Sequence, residues 1–308
     1  MCPEEPSPGN TFVIGAFLVY TVGMKPYCVL MAVYAKDRPE FFRQAFSSAL
    51  SQSFLPARFV LVEDGPLTKE LEQAVQELRE ACLQKQIVPE ILSLEQNEGL
   101  GPALNRGLGA CSEEFVARMD ADDISLPDRC AKQLLFLENH PEVDVLSGTV
   151  IEFEGPAPDP EQIPSSLVRK KVPETYAEIL DSAPVRNPVN HPCVMYRKSA
   201  VLAAGGYRSM PLFEDYDLWL RMLSGSRQTG TASFANLPDE LLLMRIDGMY
   251  ERRGGLRYAG CILRFRNSVY RAGLITLPRH LATTAARVAV SLLPASWRRL
   301  IYRRLLRN

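Results

Sequence analysis

The stretch YCVLMAVYAKDRPEFFRQAFSSALSQSFLPARFVLVEDG, residues 27–65, decides the fold of this 308-residue chain. It begins with a continuous apolar run, Cys28–Tyr34, which is typical of a strand that is covered on both faces. A helix over 38–52 follows, with a proline in its first turn. A second apolar run, Arg58–Glu63, ends at an Asp-Gly-Pro turn. The stretch therefore predicts one strand–helix–strand unit.

Strand and helix signals keep alternating beyond this unit. The periodicity predicts helices over 68–84, 100–111 and 125–139 and strands over 88–94 and 115–119. Ser125 and Asp128 are expected to cap the last of these helices as a pair. Repeated strand–helix units predict a parallel, doubly wound sheet, in which ligands bind beyond the carboxyl ends of the strands. The polar residues at those ends are the functional candidates: Asp37, 63–65, Asn97 and 120–123.

The alternation fades after the proline-rich segment 155–164. Beyond it we expect a strand at the end of 187–197, a helix over 213–223, a last strand over 240–246, and two or three arginine-rich helices after 251 with breaks at Pro278 and Pro294. The chain then divides into an N-terminal extension over 1–24, a sheet domain over 25–246 and a basic helical region over 247–308.

The extension contains an apolar run, residues 11–24, with ten apolar residues out of fourteen. This run is too short to cross a bilayer, and it lacks the basic start of a signal peptide. We expect it to pack on the surface or to be disordered, unless translation begins at Met24.

Composition places the chain among ordinary globular proteins, with 46% hydrophobic and 23% charged residues and a net charge of −1. These values exclude a disordered, collagen-like or polytopic membrane protein. From Arg245 onward there are 14 arginines and two acids, a charge of +12, which leaves −13 on the preceding 244 residues. The basic tail calls for an anionic partner or surface. Seven cysteines without a C-x-x-C pair favour a reduced, cytosolic protein with no zinc site.

The hexapeptide Gly99-Leu100-Gly101-Pro102-Ala103-Leu104 is similar to a dinucleotide-binding fingerprint, since it follows a strand and opens a helix. Leu104 occupies the third glycine position, and Pro102 removes an N–H that could face a phosphate. Two strand–helix units also precede it, whereas the fingerprint is usually in the first. We therefore do not expect NAD(P) binding.

Three carboxylates, Asp120, Asp122 and Asp123, directly follow the strand over 115–119. An acidic turn that caps the next helix needs only one acid, which Asp123 could supply, and three neighbouring carboxylates repel one another. Clustered carboxylates at a strand end form a hard-oxygen site for Mg²⁺ or Mn²⁺, and a bound diphosphate would supply further oxygens. The cluster predicts a metal–diphosphate site in preference to a plain turn.

Six segments together resemble glycosyltransferase family 2, the inverting nucleotide-sugar transferases with the GT-A fold. They lie in the family's order at 29–42, 62–68, 97–107, 117–129, 190–207 and 214–222. Within this family, the sequence most resembles the bacterial exopolysaccharide, capsule and O-antigen repeat-unit transferases. A segment like GMYERRGG, residues 248–255, also occurs in them. The resemblance implies an α/β, GT-A Rossmann-like doubly wound mixed sheet, with 25–246 as the catalytic domain and a basic C-terminal helical extension.

The resemblance implies a donor site at the strand ends. Asp64 would accept from the uracil or ribose, Asp120 would contact the nucleoside, and Asp122, with Asp120, would hold the metal. Further nucleotide-site positions implied by the match are Val33, Asn97, Arg118, Arg252 and Arg253. The departure at Ala35, where relatives commonly carry Asn, leaves a nucleotide contact either missing or supplied by Lys36 or Asp37.

The resemblance also implies that Asp215, in the pair Glu214-Asp215, is the catalytic base. Asp215 begins a helix whose apolar face would bury it, so we expect burial to raise its pKa while the helix N-terminus favours the anion. Simple N-terminal capping is the alternative. Asp217 and Arg221, spaced i, i+4, predict a surface ion pair. No Q-x-x-R-W segment follows this helix, so we expect one sugar per encounter rather than processive synthesis.

Two basic features have open interpretations. Arg252-Arg253 could clamp the leaving diphosphate, because the arginine fork matches phosphate geometry, or could be solvated. His191 could touch the acceptor or the diphosphate, or be a structural histidine.

The segment Arg279–Asn308 has seven arginines, no acids and an apolar face with Trp297, which suits a helix lying in a membrane surface. Lipid-linked sugar acceptors reside in the inner leaflet, so a cytoplasmic enzyme peripheral to that leaflet is expected. Packing on a second subunit is the alternative, and nucleic-acid binding is not expected, because no such fold signature is present.

The sequence as a whole favours a metal-dependent inverting glycosyltransferase that uses a UDP-linked nucleotide-sugar donor and a lipid-linked sugar acceptor. Two alternatives stay open. One is a nucleotidyltransferase that forms sugar nucleotides, although residues 34–37 lack the glycine-rich signature of that class. The other is a binding module that has lost catalysis.

Overall fold

A computed structural model describes residues 23–229 and 233–306, so the predicted N-terminal extension lies almost entirely outside the described residues. The strands are β1 (Tyr27–Val33), β2 (Arg58–Glu63), β3 (Val88–Ser93), β4 (Phe115–Arg118), β5 (Ile124–Ser125), β6 (Val145–Phe153), β7 (Val168–Lys170), β8 (Met195–Arg197) and β9 (Phe234–Arg245). The helices are α1 (Pro39–Ala49), α2 (Lys69–Gln84), α3 (Leu100–Ala110), α4 (Arg129–Asn139), α5 (Tyr176–Ser182), α6 (Lys198–Ala203), α7 (Glu214–Thr229), α8 (Met249–Arg252), α9 (Gly255–Arg271), α10 (Leu277–Leu292) and α11 (Ala295–Leu306).

The strands form one mixed sheet in the order β3-β2-β1-β4-β8-β6-β9-β5, with β7 paired to β6. The first four strands are parallel, and β8 joins β4 and β6 in antiparallel orientation. This arrangement confirms the predicted doubly wound mixed sheet. The carboxyl ends of β1, β2 and β4 are neighbours, so the residues that follow them meet at one edge.

Strand β1 shows why the sheet is covered on both faces. Its odd-numbered residues, such as Val29 and Met31, pack with α1, α2 and α4, whereas Cys28 and Leu30 pack with α3 and α7. Successive side chains of a strand point to opposite faces, so a run without polar residues needs a layer on each side. The apolar run in the sequence is therefore explained by the helices that cover both faces of the sheet.

The basic C-terminal helices share the core of the sheet domain. Phe265 of α9 stacks on Phe213 with ring centroids 4.6 Å apart, and Ile262 and Val269 enter the same cluster. Arg266 of α9 is fully buried and donates to the carbonyl of Pro184 at 2.6 Å. Arg266 is therefore part of the core and not a surface charge. Among the helices that the structure describes, none combines the length and apolar character needed to cross a membrane.

Some predicted boundaries are wrong. Helix α4 begins at Arg129 and not near Ser125, which instead lies in β5 and pairs with β9. The predicted Ser125–Asp128 cap is absent, and the side chain of Gln52 accepts from the Cys130 N–H at 3.0 Å. A distant residue thus serves this helix end, which no local motif could reveal. Helix α7 and strand β9 also extend further than their apolar periodicity predicted.

Candidate active site

The carboxylate cluster lies immediately beyond β4. Ligand oxygens of Asp120, Asp122 and Asp123 are all within 4.8 Å of one another. Burial, together with the charge of the neighbouring Asp120, raises the pKa of Asp122 to about 6. Asp123 is 1% exposed; its Oδ1 accepts from the Arg245 N–H at 2.8 Å, and its Oδ2 has no hydrogen-bond partner among the residues of the structure. Crowded, partly unpartnered carboxylate oxygens fit a hard divalent cation, whose charge would relieve their repulsion.

A buried arginine acts on this cluster and also on Asp215, the predicted catalytic base. Arg118, the last residue of β4, is 1% exposed, and its Nη2 contacts Oδ1 of Asp120. Its Nε and Nη1 have no hydrogen-bond partner in the described part of the chain. Its charge lowers the pKa values of both Asp122 and Asp215, against the larger effect of burial. Arg118 is always protonated, so it holds carboxylates of both groups toward their anionic forms.

Glu214 and Asp215 begin α7 and are half-buried. Burial, together with the charge of Asp215, raises the pKa of Glu214 to about 7. Burial also raises the pKa of Asp215, but the Tyr216 N–H and the Nδ2 of Asn187, which lies 2.7 Å from Oδ2 of Asp215, favour the anion. The expected rise of the Asp215 pKa through burial, opposed at the helix N-terminus, is therefore confirmed, and the hydrogen bond from Asn187 is a further effect that the sequence analysis missed.

Asp64 organises the loop between β3 and α3. Its Oδ1 accepts from the Glu98 N–H at 2.7 Å, and its Oδ2 accepts from the Gly99 N–H at 3.0 Å and from Asn97 Nδ2 at 2.9 Å. Gly65 has a φ of +88°, and a Cβ there would lie 2.6 Å from the Asn97 nitrogen. The carboxylate of Asp64 thus binds the two N–H groups that immediately precede α3, and it fixes the loop that leads into this helix.

Arg252 lies within electrostatic reach of the cluster, whereas Arg253 acts elsewhere. Burial, with the charges of Asp122 and Asp120, raises the pKa of Asp37 to about 7, although the Tyr34 N–H and the charge of Arg252 oppose this rise. Arg252 also lowers the pKa of Asp122. The charge of Arg253 is instead felt by Tyr258 in α9. Of the predicted arginine pair, Arg252 is therefore the one whose charge acts on these carboxylates.

Arg245 is a site residue that the sequence analysis missed. It is 5% exposed and lies at the carboxyl end of β9. Its Nε donates to the carbonyl of Asp122 at 3.1 Å, and its guanidinium lies 3.6 Å above the ring of Phe41. Its place at the end of a buried strand is the signal that could have found it, because that is where the other candidates lie.

The surroundings of His191 decide between its two interpretations. His191 is 8% exposed, its Nε2 lies 3.1 Å from the hydroxyl of Tyr207, and burial holds its pKa well below the usual range. A neutral, enclosed imidazole supports the structural interpretation.

Asp217 and Arg221 do pair, at 2.8 Å, but their side chains are only 11% and 15% exposed, so the expected surface location is wrong. Arg221 also donates to the carbonyl of Gly206 at 2.6 Å, which draws it inward.

Solved structures define the class of the fold. The mannosyltransferase PcManGT from Pyrobaculum calidifontis, solved with GDP-Man and Mn²⁺, matches with a TM-score of 0.58 and 17% identity over 92% of this chain and 86% of its own. TarS 1–349 from S. aureus, solved with UDP-GlcNAc, matches with a TM-score of 0.57 and 17% identity over 85% of this chain and 71% of its own. At such identities the likeness concerns the fold, which is GT-A-like.

Sequence relatives define the family. Residues 28–202 match Glycosyl transferase family 2. An uncharacterized glycosyltransferase from Haemophilus influenzae is 37% identical over 92% of this chain and 99% of its own length. The amylovoran biosynthesis glycosyltransferase AmsE from Erwinia amylovora is 40% identical over 75% of this chain and 81% of its own. The chain belongs to glycosyltransferase family 2, and it is a glycosyltransferase similar to those of bacterial surface polysaccharide synthesis.

A further relative has a name that states its reaction. The UDP-Gal:alpha-D-GlcNAc-diphosphoundecaprenol beta-1,3-galactosyltransferase of Escherichia coli is 34% identical over 92% of this chain and 97% of its own length. This relative is a hexosyltransferase that acts on an undecaprenol-linked acceptor.

Proposed function

We propose that the chain transfers a sugar, with inversion, from a UDP-linked donor to a hydroxyl group of a lipid-linked oligosaccharide during surface polysaccharide synthesis. The observation that carries this proposal is Arg118, a buried arginine that contacts Asp120. Its charge acts on Asp122 in the cluster and on Asp215 at the start of α7. One group suits a metal-bound diphosphate and the other suits a base, as a displacement at the anomeric carbon requires.

The donor site would be formed by the loops after β1, β2 and β4. Asp120 and Asp122 are proposed to hold Mn²⁺ or Mg²⁺, and the unpartnered Oδ2 of Asp123 supports a cation at this place. The bound cation would offset the negative charge that builds on the departing diphosphate. Asp64, with one donor on its Oδ1, retains acceptor capacity for the uracil or ribose. Val33 and Asn97 fix this loop, since the Val33 carbonyl accepts from the Asp64 N–H at 2.8 Å.

Asp215 is proposed as the base. The acceptor oxygen would form a bond to the anomeric carbon while the bond from that carbon to the diphosphate oxygen breaks. The hydroxyl proton would pass to the carboxylate of Asp215, whose Oδ1 is free of the Asn187 hydrogen bond. Glu214, with a pKa near neutrality, would act beside it in holding the acceptor or sharing the proton.

The arginines of the site would bind the leaving group. Arg252 has the reach to act on a diphosphate near Asp122, because its charge already acts on that residue. Nε and Nη1 of Arg118 are donors that a bound phosphate or sugar oxygen could satisfy. Arg253, whose charge acts on Tyr258, is not proposed to bind the diphosphate.

The tail is proposed to seat the enzyme on the inner leaflet. Leu277, Leu281 and Leu292 lie on one exposed face of α10, and Trp297 and Leu300 are exposed on α11, at 45–60% exposure. Exposed arginines such as Arg279 accompany them, and no acid follows Glu251 in the sequence. Apolar side chains beside basic groups match an anionic membrane surface, which is where a lipid-linked acceptor would be presented.

A donor screen tests the proposal. The purified chain is incubated with a panel of sugar nucleotides, Mn²⁺ and a synthetic undecaprenyl-diphosphate-linked sugar, and transfer is followed by mass spectrometry. We expect transfer from one UDP-sugar, and its loss in both Asp122→Ala and Asp215→Asn. Retention of full activity in both variants would refute the assigned roles. Pyrophosphate release from a nucleoside triphosphate would instead favour a nucleotidyltransferase.

A further inference from the structure

The C-terminal helix α11 is fastened to the short helix α8 by one buried arginine. Arg298 is 7% exposed, and its Nε and Nη2 both donate to the carbonyl oxygen of Tyr250, at 3.0 and 2.8 Å. Its Nη1 donates to the carbonyls of Ser291 and Leu293 at the end of α10. All of these acceptors are backbone oxygens, so the guanidinium joins three pieces of main chain.

The chain leaves a space for this guanidinium. A Cβ at Gly254 would overlap the guanidinium carbon and both terminal nitrogens of Arg298. These atoms belong to a long side chain, but their bonds to Tyr250 and Leu293 hold them in place. Glycine at 254 is therefore needed for the arginine to reach the carbonyl of Tyr250. Nearby, Tyr302 of α11 packs edge-on against the ring of Tyr250, at 5.8 Å.

Helix α8 carries Arg252, whose charge acts on Asp37 and Asp122. The helix has four residues, and only a few of its own hydrogen bonds hold it, such as Arg252 N–H to Gly248 and Arg253 N–H to Met249, each at 3.1 Å. So short a helix is marginal without tertiary contacts. Its orientation, and with it that of Arg252, therefore depends on what grips it from outside.

We propose that Arg298 is a positioning residue for the transferase reaction: through the carbonyl of Tyr250 it fixes α8 so that Arg252 faces the diphosphate site. The basic tail then has a second task besides binding anionic surfaces. This inference rests on the proposed function, because it assigns Arg252 to the diphosphate. It also predicts that a change in the tail weakens donor binding without touching any residue near the carboxylate cluster.

The experiment combines amide exchange with a double-mutant cycle. Hydrogen–deuterium exchange of residues 249–253 is measured by mass spectrometry, and affinity for UDP in the presence of MnCl₂ is measured by calorimetry. The chains compared are the wild type, Arg298→Met, Arg252→Met and the double variant. We expect Arg298→Met to speed exchange across 249–253 and to weaken UDP binding about tenfold, and to cause no further loss when Arg252 is already absent.

Matched variants separate positioning from a general loss of stability. Arg298→Lys keeps the charge and one donor and should restore most of the affinity, whereas Gly254→Ala keeps the arginine but displaces it and should reproduce the defect. Arg287→Met removes a similar bond in the same tail, from Nη2 to the carbonyl of Val185 at 2.6 Å, and should leave UDP affinity within about twofold.

The proposal is overturned if Arg298→Met leaves exchange of 249–253 unchanged, or if its loss of affinity adds in full to that of Arg252→Met. A wild-type chain that binds no nucleotide would refute the proposed function instead. The exchange rates would then still decide whether Arg298 holds α8.

Discussion

The Nδ2 of Asn187 donates to Oδ2 of Asp215 across 2.7 Å, so the proposed base is held by a side chain that lies 28 residues earlier in the sequence. This bond favours the anion of a carboxyl whose pKa burial raises. Asn187→Ala should therefore raise the pKa of Asp215. Since a base acts only when deprotonated, the acidic limb of the kcat profile should move to higher pH, by about one unit. Asn139→Ala, at an exposed helix end, is the control and should leave the profile in place.

Substitution along the first turn of α7 should identify the base. Asp215→Asn is expected to lower kcat by about 10²–10⁴-fold with little change in UDP affinity, because it removes proton transfer and leaves the donor site intact. Asp217→Asn is the matched control on the same helix: it loses an ion pair with Arg221 and should lose stability rather than kcat. Glu214→Gln should fall between the two. An active Asp215→Asn variant would point to Glu214 as the base.

The metal-free chain should lose stability as pH rises. Burial raises the pKa of Asp37 to about 7 and that of Asp122 to about 6. The folded state therefore binds these protons more tightly than the unfolded state, in which carboxyl pKa values are about 4. Their contribution is complete below pH 4 and is lost through pH 6–7. In EDTA, Tm should fall by a few degrees between pH 5.5 and 8, and Asp37→Asn should flatten this decline. A Tm that rises with pH in the same window would contradict the assignment.

Mn²⁺ should stabilise the chain through the cluster beyond β4. Because a cation would bind the anionic carboxylates, the gain in Tm from Mn²⁺ with UDP should be larger at pH 8 than at pH 5.5. Asp122→Asn should abolish most of this gain. Asp239→Asn removes an exposed carboxylate that pairs with Lys132, and it serves as the control. An equal gain in Asp122→Asn would place the metal elsewhere.

Vesicle binding should depend on the exposed face of α10. Replacing Leu277 and Leu281 together with Ser is expected to weaken binding to phosphatidylglycerol vesicles about tenfold, because less apolar area enters the interface. Leu83→Ser, at a side chain of 61% exposure on α2, should have no effect. High salt should also weaken binding of the wild type, since the arginines act through charge. The proposed surface would be wrong if the Leu277 and Leu281 variant bound as well as the wild type, or if neutral vesicles were bound as strongly as phosphatidylglycerol vesicles.

The first half of the fold could be predicted from the sequence because local sequence patterns determine its strands and helices. In residues 27–118, apolar runs set the strands and helical periodicity sets the helices, so the parallel strands and the site at their ends follow directly. The insertion of β8 between β4 and β6 could not be predicted, since its antiparallel pairs join residues that are far apart in the chain, such as Phe115 with Arg197 and Val145 with Tyr196. For the same reason the Gln52 contact at the start of α4 left no local signal.

The candidate site divides in a similar way. Its carboxylates stand next to strand ends or a helix start, where motif and position agree, and these were found. Arg245 and Asn187 were missed because each acts on a residue that is distant in sequence, Asp123 and Asp215. The buried arginines of the tail were also missed, since composition records the charge of a side chain but not the carbonyl groups that surround it.

The grip of Arg298 on Tyr250 bears on how the enzyme should be prepared for donor screening. A chain truncated before Ala295 would lack this guanidinium but would keep every strand of the sheet. Such a truncated protein would show weak nucleotide affinity with every sugar tested, and the correct donor could then be discarded as a poor one. Screens for the natural donor should therefore use the intact C-terminus.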